Sequence, residues 1–125
     1  KRQLVDDCYN ANPTSDRAAI DSLASLSGRH VCILGDMLEM GGNAPELHRS
    51  VGEYAAAHGV DLVITQGELA KYIAEGAGTA GVHYADRASL LAALPELLHE
   101  GDVVLVKASH GAHFEEISEA VKQLS

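Results

Sequence analysis

Short apolar runs alternate with longer amphipathic stretches along the whole chain, and the alternation is almost unbroken. Residues 3–6 read as a strand, and residues 13–26 as a helix that gathers Ala19, Leu23 and Leu26 on one face. Gly28 stands where a left-handed residue would close that helix. His30-Val31-Cys32-Ile33-Leu34 is an apolar run of the kind buried on both faces of a parallel sheet. Beyond a glycine-bounded loop, residues 45–58 are helical, with Leu47, Val51 and Tyr54 together and Gly59 as the stop. Residues 61–65 form another buried strand, 68–76 a helix and 81–84 a weaker strand. Asp86 is placed to cap the next helix, which Pro95 should kink or restart by removing a hydrogen bond in its middle. Asp102-Val103-Val104-Leu105-Val106 is the strongest strand. Phe114, Ile117, Val121 and Leu124 then give the last helix an apolar stripe.

Strands of about five residues separated by helices of roughly 10–15 predict right-handed βαβ units. The expected fold is a three-layer, Rossmann-like α/β domain with a mainly parallel sheet of about five or six strands. Residues 1–125 make one such domain, and the pattern leaves strand order open. Aromatic residues are only 4%, with no Trp and one Phe, so the core must be built from Leu, Val, Ile and Ala. A net charge of −9 argues against nucleic acid and an anionic membrane surface as partners. It leaves nucleotide binding open, because backbone amides or a neighbouring domain can supply the positive field. Cys8 and Cys32 lack metal-ligand spacing and read as buried free thiols in a reducing compartment. No run approaches the ~18 apolar residues of a membrane helix, and no leader is visible, so a soluble cytosolic domain is expected. The chain starts abruptly, with Lys1 only a few residues from a ligand-like turn, as a domain cut from a longer protein would.

Three loops, each following a strand, carry the candidate chemistry. In the first, Asp7 lies beyond a strand end, where a carboxylate suits ribose hydroxyls, and Asn10 and Asn12 can donate and accept toward an adenine edge or a phosphate. Asn12 also suits an N-cap before Pro13 at the first helical position, and turn and capping chemistry explains the same residues equally well. The second loop, Leu34-Gly35-Asp36-Met37-Leu38-Glu39-Met40-Gly41, sets two acids between large apolar side chains. Asp36 can orient an ammonium there, or the loop can simply cover the core. The third, Val106-Lys107-Ala108-Ser109-His110-Gly111-Ala112-His113, offers a cation, a hydroxyl and an imidazole at a helix N-terminus, a setting for a bound carboxylate. Nucleophilic catalysis is disfavoured, since no orienting acid and no G-x-S-x-G turn are present. The G-x-G-x-x-G fingerprint and the G-x-x-x-x-G-K-[ST] phosphate loop are both absent. His48 is close enough to the second loop to hydrogen-bond back to it, and His58 and His99 lie near helix C-termini. No metal site is expected within the domain.

With these loops in place, the chain resembles the C-terminal domain of Mur ligases, most closely the branch that adds D-alanyl-D-alanine. The resemblance covers nearly the whole chain. It is carried by Asp6-Asp7-Cys8-Tyr9-Asn10-Ala11-Asn12-Pro13, by residues 34–41 followed by Leu47-His48, and by Val104-Leu105-Val106-Lys107-Ala108-Ser109. It implies a three-domain bacterial cytoplasmic enzyme, expected to be a monomer, in which an N-terminal domain holds UDP-N-acetylmuramoyl-tripeptide. A central domain would carry the phosphate loop and most Mg2+ contacts, and the third domain would close over the site. ATP would phosphorylate the tripeptide's terminal carboxylate, and the amine of D-alanyl-D-alanine would attack the acyl phosphate. The resemblance puts Asp7, Tyr9, Asn10 and Asn12 at the nucleotide, and Asp36 and Glu39 beside the incoming amino component. It puts Lys107, Ser109 and His110 at the dipeptide's carboxylate. No catalytic residue falls to this domain, which alone should neither hydrolyse ATP nor ligate.

Departures from the family pattern are Ala108 for the usual Gly, His110 for the usual Arg, and the run Gly111-Ala112-His113-Phe114. Asp16 replaces a frequent Met and reads as a surface change. An imidazole is a weaker and pH-dependent carboxylate clamp than a guanidinium. Two alternatives stay open: another Mur or folylpolyglutamate-type ligase, against which Tyr9-Asn10-Ala11-Asn12-Pro13 speaks, and a non-catalytic Rossmann-like binding module.

Overall fold

The computed structural model describes residues 3–7, 11–38 and 41–124, and for Gln3, Val5, Asp6, Asp7 and His110 the backbone alone. Strands β1 (Gln3–Asp7), β2 (His30–Leu34), β3 (Leu62–Gln66), β4 (Gly81–Tyr84) and β5 (Val103–Lys107) alternate with helices α1 (Pro13–Ala24), α2 (Ala44–Ala57), α3 (Ala70–Ala77), α4 (Arg87–Leu97) and α5 (Glu115–Leu124). The five strands form one sheet in the order β1-β5-β2-β3-β4. Every neighbouring pair is parallel. The last strand in sequence is therefore inserted between the first two.

Alternation along the strands splits the core into two layers. Cys32, Leu34, Val63, Val103 and Leu105 pack with Ile20 and Leu23 of α1, Val51 of α2 and Ile73 of α3. Val31, Ile33, Ile64, Val104 and Val106 point the other way, against Leu90 and Leu94 of α4 and Ile117 and Val121 of α5. Right-handed crossovers produce this division. The chain steps in one direction from β1 through β4 with helices on one face, then returns to β5 and must place α4 on the other.

Local signals act largely as the sequence indicates. Asn12 caps α1, its Oδ1 accepting from the Ser15 N–H at 2.8 Å, with Pro13 at the helix start. Asp86 caps α4 through the Ser89 N–H at 2.7 Å. Three expectations need correction. Helix α1 stops at Ala24, with Ser25 as C-cap, so Gly28 does not close it. Glycine is still required at 28, with φ +121° and a would-be Cβ only 2.7 Å from the Gly101 carbonyl oxygen. Pro95 does not restart α4, which runs as one helix to Leu97, because the proline sits in the last turn and not in the middle. Asp16 is fully buried rather than a surface change. It lies one turn before Ile20 and therefore on the inner face of α1. Burial, followed by the charge of Asp16, pushes the Cys32 thiol far up, so it stays an inert buried thiol.

Helices α2 and α3 approach backbone to backbone. A Cβ on Gly52 would run into the carbonyl oxygen of Ile73, and one on Gly76 into that of Arg49. Neither carbonyl can swing aside as a flexible side chain would. Gly52→Ala should therefore lower unfolding free energy by about 1–3 kcal/mol in urea titrations, the usual cost of overpacking. Gly42→Ala, with nothing within 4 Å of its would-be Cβ, should leave the midpoint nearly unchanged.

Candidate functional site

Ligands of open parallel sheets sit at the carboxyl ends of strands, where neighbouring connections leave toward opposite faces. Here β5 feeds α5 on one face while its neighbours β1 and β2 feed α1 and α2 on the other. The crevices flanking the end of β5 are therefore the topological sites. The register aligns Lys107 with Asp7 on one side and with Leu34 on the other. All three candidate loops leave from this one edge.

The second and third loops are stitched together by their own backbones. Gly35 N–H donates to the Lys107 carbonyl at 3.0 Å, and Ser109 N–H to the Asp36 carbonyl at 3.1 Å. Leu38 N–H donates to Ser109 Oγ at 2.8 Å. Ser109 Oγ therefore acts as an acceptor within the fold and keeps its hydroxyl hydrogen for a further partner. Gly35 has no room for a side chain, since its Cβ would lie 2.5 Å from the Phe114 ring. Asp36 turns Oδ1 onto the start of α3, accepting from Leu69 N–H at 3.1 Å and Ala70 N–H at 2.8 Å. Gly67 at φ +136° leaves space for that carboxylate. His48 is buried, with Nε2 accepting from Met37 N–H at 2.8 Å and Nδ1 donating to the Ala44 carbonyl at 2.7 Å. It does bond back to the acidic loop.

Other expected site residues fall differently. Lys107 is fully enclosed in β5 instead of standing on an exposed loop, because the strand runs one residue further than expected. The third loop does not sit at a helix N-terminus: the 3₁₀ turn of residues 110–112 intervenes, and Glu115 and Glu116 already place negative charge at the start of α5. Asn12 uses Oδ1 for its cap. Tyr9, Asn10 and Glu39 lie outside the described residues, and Asp7 and His110 are placed by backbone alone. Among the described residues, no group of three or more His, Cys, Asp or Glu side chains comes together.

No motif in the sequence marks Arg87. Its Nε donates to Gln66 Oε1 at 2.9 Å, and its Nη atoms to the carbonyls of Ala112 at 2.8 Å and His113 at 3.0 Å. The guanidinium also lies 4.9 Å from the Phe114 ring centre. It holds His113 in a left-handed conformation, φ +56°, and so shapes the end of the third loop. Its partners are over 20 positions away in sequence, and no local pattern announces them. At the far end of the same edge, Thr65 Oγ1 and His83 Nδ1 are hydrogen-bonded at 2.7 Å.

The fold and edge define a parallel α/β domain whose three candidate loops leave from the carboxyl end of its sheet, the place where open parallel sheets hold ligands. The chain belongs to the Mur ligase C-terminal family: the model described as "Mur ligase, glutamate ligase domain" matches residues 1–110. The UDP-N-acetylmuramoyl-tripeptide–D-alanyl-D-alanine ligase of Escherichia coli K12 is 39% identical over 96% of the chain and 27% of its own length. That of Bacillus subtilis 168 is 40% identical over 91% of the chain and 26% of its own length. Among solved structures, the MurF ligase of Thermotoga maritima in complex with ADP superposes with a TM-score of 0.83 at 27% identity, covering 97% of this chain and 28% of that one. MurF from Acinetobacter baumannii gives 0.87 at 30% identity, again over 97% and 28%. The chain thus spans about a quarter of the relatives it matches.

If Asp36 acts locally as a cap for α3, Asp36→Ala should cost about 1–2 kcal/mol of stability, the usual loss for a removed cap. Asp36→Asn keeps an acceptor at Oδ1 and should recover most of it. Paired urea unfolding curves check this, and equal losses in both variants would contradict it.

Proposed function

We propose that this chain is the third domain of a longer three-domain enzyme, an ATP-dependent ligase that joins D-alanyl-D-alanine to UDP-N-acetylmuramoyl-tripeptide in a bacterial cytoplasm. The observation that carries the reading is the convergence of the three loops on the adjacent ends of β1, β5 and β2. An ATP γ-phosphoryl group is transferred to the tripeptide's terminal carboxylate, giving an acyl phosphate and ADP. The neutral amine of the dipeptide adds to the acyl carbon, phosphate leaves and the amine's proton passes to solvent, so that one amide bond forms per ATP. This domain brings the acceptor and closes over the nucleotide, as a hinged domain does. The phosphate loop, whose G-x-x-x-x-G-K-[ST] pattern does not occur in this sequence, and most Mg2+ contacts are assigned to the central domain.

In this reading Asp7, Tyr9, Asn10 and Asn12 line the nucleotide side of β1. The free oxygen of Asp36, with Glu39, attracts the ammonium form of the acceptor. Ser109 donates its hydroxyl hydrogen to the dipeptide carboxylate beside His110, while the enclosed Lys107 supplies positive charge from beneath. No helix among the described residues is long and apolar enough to cross a membrane, and the enzyme is read as a cytoplasmic monomer.

Ser109 supplies a directional test in the full-length enzyme. A hydrogen bond to a charged group contributes about 1.5–3 kcal/mol, so Ser109→Ala should raise KM for D-alanyl-D-alanine by roughly 10- to 150-fold. KM for ATP should stay within about twofold. A change confined to ATP would overturn the placement of the acceptor, and no ligation by the unaltered enzyme would overturn the ligase reading.

A further inference from the structure

The loop that carries Asp36 is held on one side by Ser109 and on the other by a single buried imidazole. We propose that His48 is a positioning residue whose neutral ring latches this loop, and that a proton on Nε2 unlatches it. The geometry defines the tautomer. Met37 N–H points at Nε2 from 2.8 Å, so Nε2 must be the bare nitrogen, and Nδ1 carries the hydrogen donated to the Ala44 carbonyl. Protonation turns Nε2 into a donor and sets two N–H groups against each other. Met37 is fully buried and lies between Asp36 and Leu38, so its release moves both neighbours and, through Leu38 N–H, Ser109 Oγ.

The surroundings decide the sign. Burial pushes the His48 pKa below its ordinary 6.5, against the opposing pulls of the Ala44 carbonyl and the Asp36 charge. On the elements packed around it, Glu46 and Arg49 of α2 pair with each other, and Arg49 also reaches Glu75 of α3. Asp21 of α1 accepts from Tyr54, and Lys71 of α3 is exposed. A group whose folded pKa is depressed holds its full contribution above its unfolded value. The latch is therefore closed above about pH 6.5 and lost as pH falls through the lowered value. His30, at the opposite edge of the sheet, behaves inversely. Its two ring nitrogens face the carbonyls of Leu26 at 2.6 Å and Gly59 at 3.1 Å. The Leu26 bond foremost raises its pKa, so its proton tightens that corner.

Amide exchange and histidine ring NMR on this 125-residue chain between about pH 8 and pH 5 test the latch. Protection at Met37 and Leu38, corrected for intrinsic exchange, should fall with the midpoint at which the His48 ring titrates. His48→Gln can accept the Met37 N–H without titrating and should keep protection flat. Persistence of the loss in that variant, or protection that ignores the His48 titration, overturns the proposal. Should the variant not fold, the unaltered chain still decides, since an Nε2–H tautomer at neutral pH also overturns it. The consequence for the acceptor rests on the ligase reading. In the full-length enzyme, KM for the dipeptide should rise more steeply with falling pH than it does in His48→Gln, which keeps the amine and His110 titrations and lacks only the latch. An equally steep rise in both overturns the positioning role, whereas no ligation at any pH overturns the ligase reading instead.

Discussion

The insertion of β5 between β1 and β2 is the constraint on which the rest of the domain depends. Each residue of β5 is buried, and the strand contributes alternately to both core layers. Its neighbours came earlier in the chain, so the return from β4 must cross the opposite face to keep a right-handed connection. That one crossing places α4 and α5 together on the second face. It also makes adjacent strand ends feed opposite sides, which opens the crevices where the three loops meet. Architecture and site location thus share one cause.

The elements were legible because periodicity reports burial, and burial here is nearly complete in the central strands. β2 and β4 match their expected bounds, and Asn12 and Asp86 cap as their spacing indicates. Boundaries failed where a tertiary contact overrode the local signal. Gly28 looks like a helix stop, yet it answers to the close approach of the Gly101 carbonyl. Asp16 looks like a surface acid because charge is usually solvated, while its position one turn before Ile20 commits it to the interior. Lys107 looks like a loop cation for the same reason, and the sheet extends far enough to enclose it.

Strand order could not be read, because hydrophobic pattern records which face is buried and says nothing of which neighbour buries it. The same blindness hid Arg87, whose bonds to Gln66, Ala112 and His113 are all made across the fold. Loop chemistry was legible at the level of residue type alone. Asp36, Ser109 and His48 were singled out, but the sequence could not say that each spends part of its bonding on the protein itself. Asp36 holds the start of α3, Ser109 holds Leu38, and His48 holds Met37.

This internal saturation bears directly on what the edge can bind. Buried backbone groups must find partners, and the loop that carries Asp36 finds its partners in the elements around it: the Lys107 carbonyl, Ser109, His48 and the start of α3. Among the described side chains of the second and third loops, few directional groups are left over. One is the hydroxyl hydrogen of Ser109, and another is the Asp36 oxygen that does not face α3. A surface with so few free groups gains specificity from their fixed positions more than from their number, because a preorganised group loses little freedom when a ligand arrives. Preorganisation of that kind is only as good as the bonds behind it. The imidazole of His48 is such a bond, and its state changes only as pH falls below the ordinary imidazole range, where backbone amides and carbonyls do not titrate.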